Sequence, residues 1–340
     1  MAKSPSFDSH IVKTKELAQR FQTLTAALAE GLGKLPQNGD ETAFAAETAK
    51  LAEVQKTKTL LEADLLASCM SVSKRTDHAY DAFDRVDEVS RFDAFLAMFR
   101  RRSGAAFKVS RSRKLAIADS LRSILTDAAD IYGFVQTEKD HAAGLVPTCE
   151  QTLVRSMEQR RGVVSSMDEA RQRDREVALA LSTLRRKIAD GQDEARLAQF
   201  KSEETETAGQ HDIILQSRKQ LAVEHHVLDR QAILLGDLID VLNDMVSLYS
   251  VVSHALALEA ERCFQLYDAV YGTLEPLIAL AQPHSSQTSG ETEPPLLGAF
   301  GTLLSLHAQG TVTMQDIEKR KTRADDALAH RRNALAQPEA

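Results

Sequence analysis

The sequence predicts an all-α fold, an elongated bundle of long antiparallel helices that pairs into a dimer. Three observations carry this expectation. Apolar residues recur one heptad apart at Leu221, Leu228, Leu235, Leu242, Tyr249, Leu256, Cys263, Val270 and Leu277, and a second row joins them at Leu238, Met245 and Val252. Such rows mark a helix buried along a broad face over many turns. Between Pro36 and Pro276 the chain has one proline, Pro147. A proline inside a helix costs about 3 kcal/mol, so this scarcity permits very long helices. Composition agrees: aromatics are 5%, tryptophan is absent and glycine is sparse, and no alternating β-branched runs argue for strands.

Residues 1–7 read as a loose, disordered end. A first helix is expected over 8–33, with Leu17, Phe21, Leu24, Leu28 and Leu32 on one face. That face can enter a bilayer as an amphipathic wedge or pack on the bundle, and the tight turn Gly33–Asp40 favours packing. A second helix follows from about Glu41 to Phe99, then a connection marked by Ser103-Gly104. The third helix spans about 111–188, kinked but not ended by Pro147, because the apolar pattern resumes at Leu153. Asp190-Gly191-Gln192-Asp193 is a tight turn, placing a tip near 189–194. The fourth helix, about 194–281, carries the heptads. Together these make one helical domain over 8–283. Residues 284–295, rich in Ser, Thr and Pro, form a flexible linker, and a last helix is expected over 296–335.

The net charge of −7 hides an asymmetry. From Phe99 to Lys187 there are 18 Lys and Arg against 11 Asp and Glu, leaving −14 on the rest. A basic middle in an acidic chain points to an anionic partner for that region. The densest group is Arg100, Arg101, Arg102, Lys108, Arg111, Arg113 and Lys114, with Phe99 and Phe107 interleaved and no acid from Ala94 to Ala118. Each basic residue near an anionic lipid surface contributes about 1 kcal/mol; the plainer reading is a solvated loop. A second group, Arg160, Arg161, Arg171, Arg173 and Arg175, alternates with acids and reads as surface pairing along one helix. A third, Arg185, Arg186 and Lys187, precedes the tip turn. The apolar heptad residues Leu221, Leu228, Leu235, Leu242, Tyr249 and Leu256 are the expected dimer seam, because one chain is too short of partners to cover that row along its whole length.

Chemistry is little in evidence. Glu138 and His141 have the spacing used by di-iron bundles, which need a second such pair and two further carboxylates; no second pair occurs. His225 and His226 diverge by about 100° on a helix and do not share a metal face. There is no phosphate-binding glycine loop, no zinc-protease motif and no dinucleotide fingerprint. The chain is expected to be no enzyme and to use no cofactor or metal. Cys69, Cys149 and Cys263 are scattered and odd in number, which fits a reducing cytosol. No run reaches the length of a spanning segment and the first twenty residues lack a signal core, so the expected location is cytoplasmic.

The order of long helices, the kinked middle helix and the short turn before the last long one resemble the BAR domain superfamily, most closely the sorting-nexin BAR proteins, without the PX domain that precedes the helices there. The local match lies in Gly33–Leu66, a Gly/Asn/Asp turn followed by Thr42-Ala-Phe-Ala45 and Leu51-Ala-Glu-Val54, and in the late Leu274-Glu-Pro-Leu277. The resemblance implies a dimer, with itself or with another BAR-like protein, that senses or generates membrane curvature. It further implies lipid contact by cations of the middle helix and the tip, work in endosomal sorting and tubulation with trafficking coat subunits, and a peripheral place on endosomal or other intracellular membranes. The competing expectation is a coiled-coil scaffold or tether with no direct membrane contact. No nucleic-acid role is expected.

Overall fold

The computed structural model describes residues 7–34, 41–85, 104–190, 194–271 and 314–336. All described elements are α-helices: α1 (Phe7–Gly33), α2 (Glu41–Asp84), α3 (Gly104–Asp190), α4 (Glu194–Tyr271) and α5 (Met314–Ala336). The expected all-α class holds. α3 remains helical through Pro147. The ends foreseen for the second and fourth helices, the linker over 284–295 and the start of the last helix lie outside the described residues.

The chain forms two compact units. The first gathers residues 1–22, 56–143 and 243–340, hence the start of α1, most of α2, the first part of α3, the end of α4 and α5. Its core is built from apolar residues at helical spacing: Phe21 on α1, Leu61, Leu65 and Val72 on α2, Leu121, Ile124, Leu125 and Val135 on α3, and Met245, Tyr249, Val252, Leu256, Phe264 and Tyr267 on α4. Each large aliphatic side chain taken fully from water contributes about 1.5–3 kcal/mol. Some buried polar groups find partners within this core, whereas the Tyr249 and Ser253 hydroxyls are buried without one among the described residues. Thr76 and Cys263 meet at 3.5 Å, and the Tyr80 hydroxyl donates to the Arg262 carbonyl at 2.9 Å.

The second unit holds residues 23–55 and 144–242. Leu28 and Leu32 of α1, Phe44, Leu51 and Val54 of α2, Cys149 and Val163 of α3, and Leu228, Leu235, Leu238 and Leu242 of α4 are buried there. Gln231 ties the helices together: its amide donates to the Leu32 carbonyl at 2.6 Å and its oxygen accepts from Ser156 at 3.0 Å. Between Leu181 and Val227 no described residue is buried. The sequence places only α3 and α4 along that stretch, and two helices alone cannot enclose a core. Polar contacts line it instead, with Asp174 paired to Arg218 and His211 Nε2 3.2 Å from the same carboxylate.

Two expectations from the sequence are settled by these cores. The apolar face of α1 packs into the bundle. The heptad row expected to join two chains lies inside one chain, and this corrects the dimer-seam assignment. Leu228, Leu235, Leu242, Tyr249 and Leu256 are at most 2% exposed; only Leu221 remains half-exposed. Residues of the same chain already cover the row, so it offers no free surface to a partner.

Candidate anion-binding surface

The first N–H groups of a helix lack partners within it, and the aligned peptide dipoles leave its N-terminus positive. Acids usually gather there. α3 does the opposite: its first turn contains no acid, and Lys108, Arg111, Arg113 and Lys114 follow on the next turns. These side chains lie beyond the first turn, to which the dipole's effect is confined, so the positive character of this stretch is their own. Arg113 is exposed and Lys114 half-exposed, and among the described residues no carboxylate lies within ion-pair distance of either. The first acid of the helix, Asp119, pairs with Arg122 at 3.4 Å. Arg100, Arg101 and Arg102 lie outside the described residues, as do the side chains of Lys108 and Arg111.

The tip cations are engaged locally. Arg185 Nε pairs with Glu204 at 2.9 Å, and Lys187 Nζ stands 5.5 Å from the centre of the Phe200 ring. All three of Arg185, Arg186 and Lys187 are exposed, where such a pair is worth little. In the intervening group Arg171 pairs with Asp168 at 3.0 Å, Arg173 with Glu169 at 3.4 Å and Arg160 with Asp229 at 3.1 Å. Spacing of three and four residues along a helix foretold the first two of these.

A second charged cluster, in the first unit, was not singled out from the sequence. Arg262 pairs with Glu259 at 2.8 Å and with Asp77 at 2.7 Å, and its guanidinium lies 5.0 Å from the Tyr80 ring centre. Lys321 of α5 reaches the same Asp77 at 2.6 Å. Arg331 of α5 bonds Glu62 at 3.2 Å, Asp244 at 3.0 Å and Ser247 at 3.0 Å, and Lys58 also pairs with Asp244. A signal existed in the spacing of Ile317, Lys321, Ala324, Leu328 and Arg331, a four-three row with basic residues at two inward positions.

Burial alone would raise the carboxyls of Asp77 and Asp244. Hydrogen bonds and charge from Lys321 and Arg262 at the first, and from Lys58 and Arg331 at the second, outweigh it and hold both below the ordinary 3.8. A carboxyl depressed in the folded state stabilises it above the unfolded value, and that contribution fades as pH falls through the folded value. The contacts of α5 are therefore expected to be insensitive to pH from neutrality down to about 4 and to weaken only below that. Amide exchange of α5 measured against pH checks this; loosening already in the range where histidine titrates contradicts it.

Glu138 and His141 share a face of α3, and burial raises the Glu138 carboxyl. Among the described residues no group of three or more His, Cys, Asp or Glu stands close enough to hold a metal ion. Within α4 the stretch Arg196–Val270 includes a window long and apolar enough to cross a membrane, but 56% of that window is buried in the bundle, and its apolar residues are those of the cores above.

No family model matches the chain, and no curated protein matches it. Among solved structures the chain is similar to the SmhB pore of the tripartite alpha-pore forming toxin Smh from Serratia marcescens. The TM-score is 0.32 and the identity 13%, with 95% of this chain and 99% of that chain covered. A TM-score of 0.32 carries no argument about fold or function.

Proposed function

We propose that this chain is an all-helical scaffold that docks on anionic membrane surfaces through the cationic start of α3. The observation that carries this reading is the acid-free run of basic residues there. Seven basic residues fall within a run free of acids from Ala94 to Ala118, and Arg113 stands exposed in the third turn of the 87-residue α3. A run of like charges with no acid within it along the sequence is stabilised by an anionic partner, and a lipid surface supplies many anions at once. Curvature sensing, endosomal sorting and pairing with coat subunits would extend this reading along the resemblance to BAR proteins. They need a second subunit, and the α4 row does not provide its seat. Among the described residues of the second unit, Val154, Met157, Val164, Ile213, Val223 and Ile233 are exposed apolar side chains that a second subunit could cover.

The test is sedimentation of the full chain with vesicles containing phosphatidylserine, against neutral vesicles, over a salt series. Binding is expected to anionic vesicles only and to weaken as salt rises, because exposed charges are screened beyond about 8 Å at physiological ionic strength. Arg111→Glu, Arg113→Glu and Lys114→Glu together are expected to reduce partitioning at least about a hundredfold, at about 1 kcal/mol per charge lost and more from repulsion. Helicity by circular dichroism should not change. Undiminished binding by the triple variant rejects this surface. If the native chain binds no vesicle, the scaffold reading without membrane contact stands, a reading favoured by the local pairing of Arg185 and Lys187.

A further inference from the structure

α5 is held to its unit in an unusual way. Its inward row runs Ile317, Lys321, Ala324, Leu328, Arg331, in alternating steps of four and three. Ile317, Ala324 and Leu328 are buried, but the two remaining positions are basic. A charged residue in such a row fixes register at a cost in stability. The register is fixed here by acids on two other helices, Asp77 and Glu62 on α2 and Asp244 on α4. Asp77 and Asp244 are 48% and 39% exposed, so salt screens their share of the contact.

Cys69 of α2 is 1% exposed and lies seven residues after Glu62 and eight before Asp77, about two helical turns from each, between the two acids that pair with α5. Burial, with Glu259 and Asp325 adding to it, pushes its thiol up to about 12. The neighbouring Met70 sulfur lies 3.9 Å from Arg332 Nη1 of α5.

We propose that α5 is a detachable clasp, closed by the ion pairs of Lys321 and Arg331 with Asp77, Glu62 and Asp244, and that its release uncovers the face of α2 that carries Cys69. The closed clasp protects this thiol. Opening exposes the thiol and the α5 side chains Ile317 and Leu328, while the rest of the first unit keeps its own core on α1 to α4.

The three cysteines give the test its internal controls. Cys149 lies in the second unit, and Cys263 is buried between α2 and α4 beside Thr76. Maleimide labelling of the full chain is followed at each cysteine by mass spectrometry. In about 1 M salt, where the screening length falls to about 3 Å, Cys69 is expected to label at least about tenfold faster than in dilute buffer, and Cys149 and Cys263 at unchanged rates. Lys321→Glu with Arg331→Glu is expected to do the same without salt. Lys321→Arg with Arg331→Lys keeps the charges and should keep Cys69 protected. The clasp is overturned if Cys69 stays as slow in high salt as in dilute buffer. It is equally overturned if all three cysteines accelerate together, which is global unfolding. The salt arm uses the native chain, so a charge-reversed variant that fails to fold does not remove the test.

Discussion

Replacing Leu242 and Tyr249 with Glu is expected to unfold the chain rather than to separate two subunits. Leu242 is 0% and Tyr249 1% exposed, and each lies in the core of its own unit. A carboxylate there would lose its hydration with no cation to replace it, at several kcal/mol per site. At position 249 it would also stand near Glu138, whose carboxyl burial already raises and whose charge reaches the Tyr249 hydroxyl. A stability of about 5–15 kcal/mol, usual for a folded domain, does not survive two such changes. Thermal melting followed by circular dichroism should show lost helicity and no cooperative transition. A double variant that keeps native helicity while its mass by light scattering halves would return the α4 row to a subunit interface.

Removing the Arg262 guanidinium is expected to be the most damaging single change outside the apolar cores. Its Glu259 partner is 4% exposed at the side chain, and the same guanidinium serves Asp77 and covers the Tyr80 ring. Burial alone would lower the Arg262 value, but the charge of Glu259, the hydrogen bond to Asp77 and its charge raise it above the ordinary one. Arg262→Met keeps the aliphatic bulk and leaves Glu259 buried without its cation, a loss of about 3 kcal/mol. Adding Glu259→Gln should recover part of it, because the stranded charge is gone. Denaturant titration of the single and double variants measures both terms. If Arg262→Met costs less than about 0.5 kcal/mol, the pair is a surface contact and not an internal one.

The sequence by itself determined that this chain is helical and where the first helix and the start of α4 lie, whereas α3 begins at Gly104, inside the stretch expected as a connection. The absence of proline between Pro147 and Pro276 and the seven-residue rows are local properties, and they fix helix and buried face without reference to the rest of the chain. α4 begins at Glu194, where the turn around Gly191 had placed it. Charge pairing at three or four residues, as for Arg171 with Asp168, was readable for the same reason. What covers a buried face is another matter. The row through Leu235 and Leu242 states that something excludes water from it, and a second subunit and the same chain satisfy it equally well. Only the tertiary structure decided for the same chain. It also gave α5 its place. Lys321 and Arg331 read as surface charges in a polar helix, and their acids lie 244 and 269 residues earlier, on α2. A pairing at that separation depends on which helices become neighbours, and no local period in the sequence records that choice.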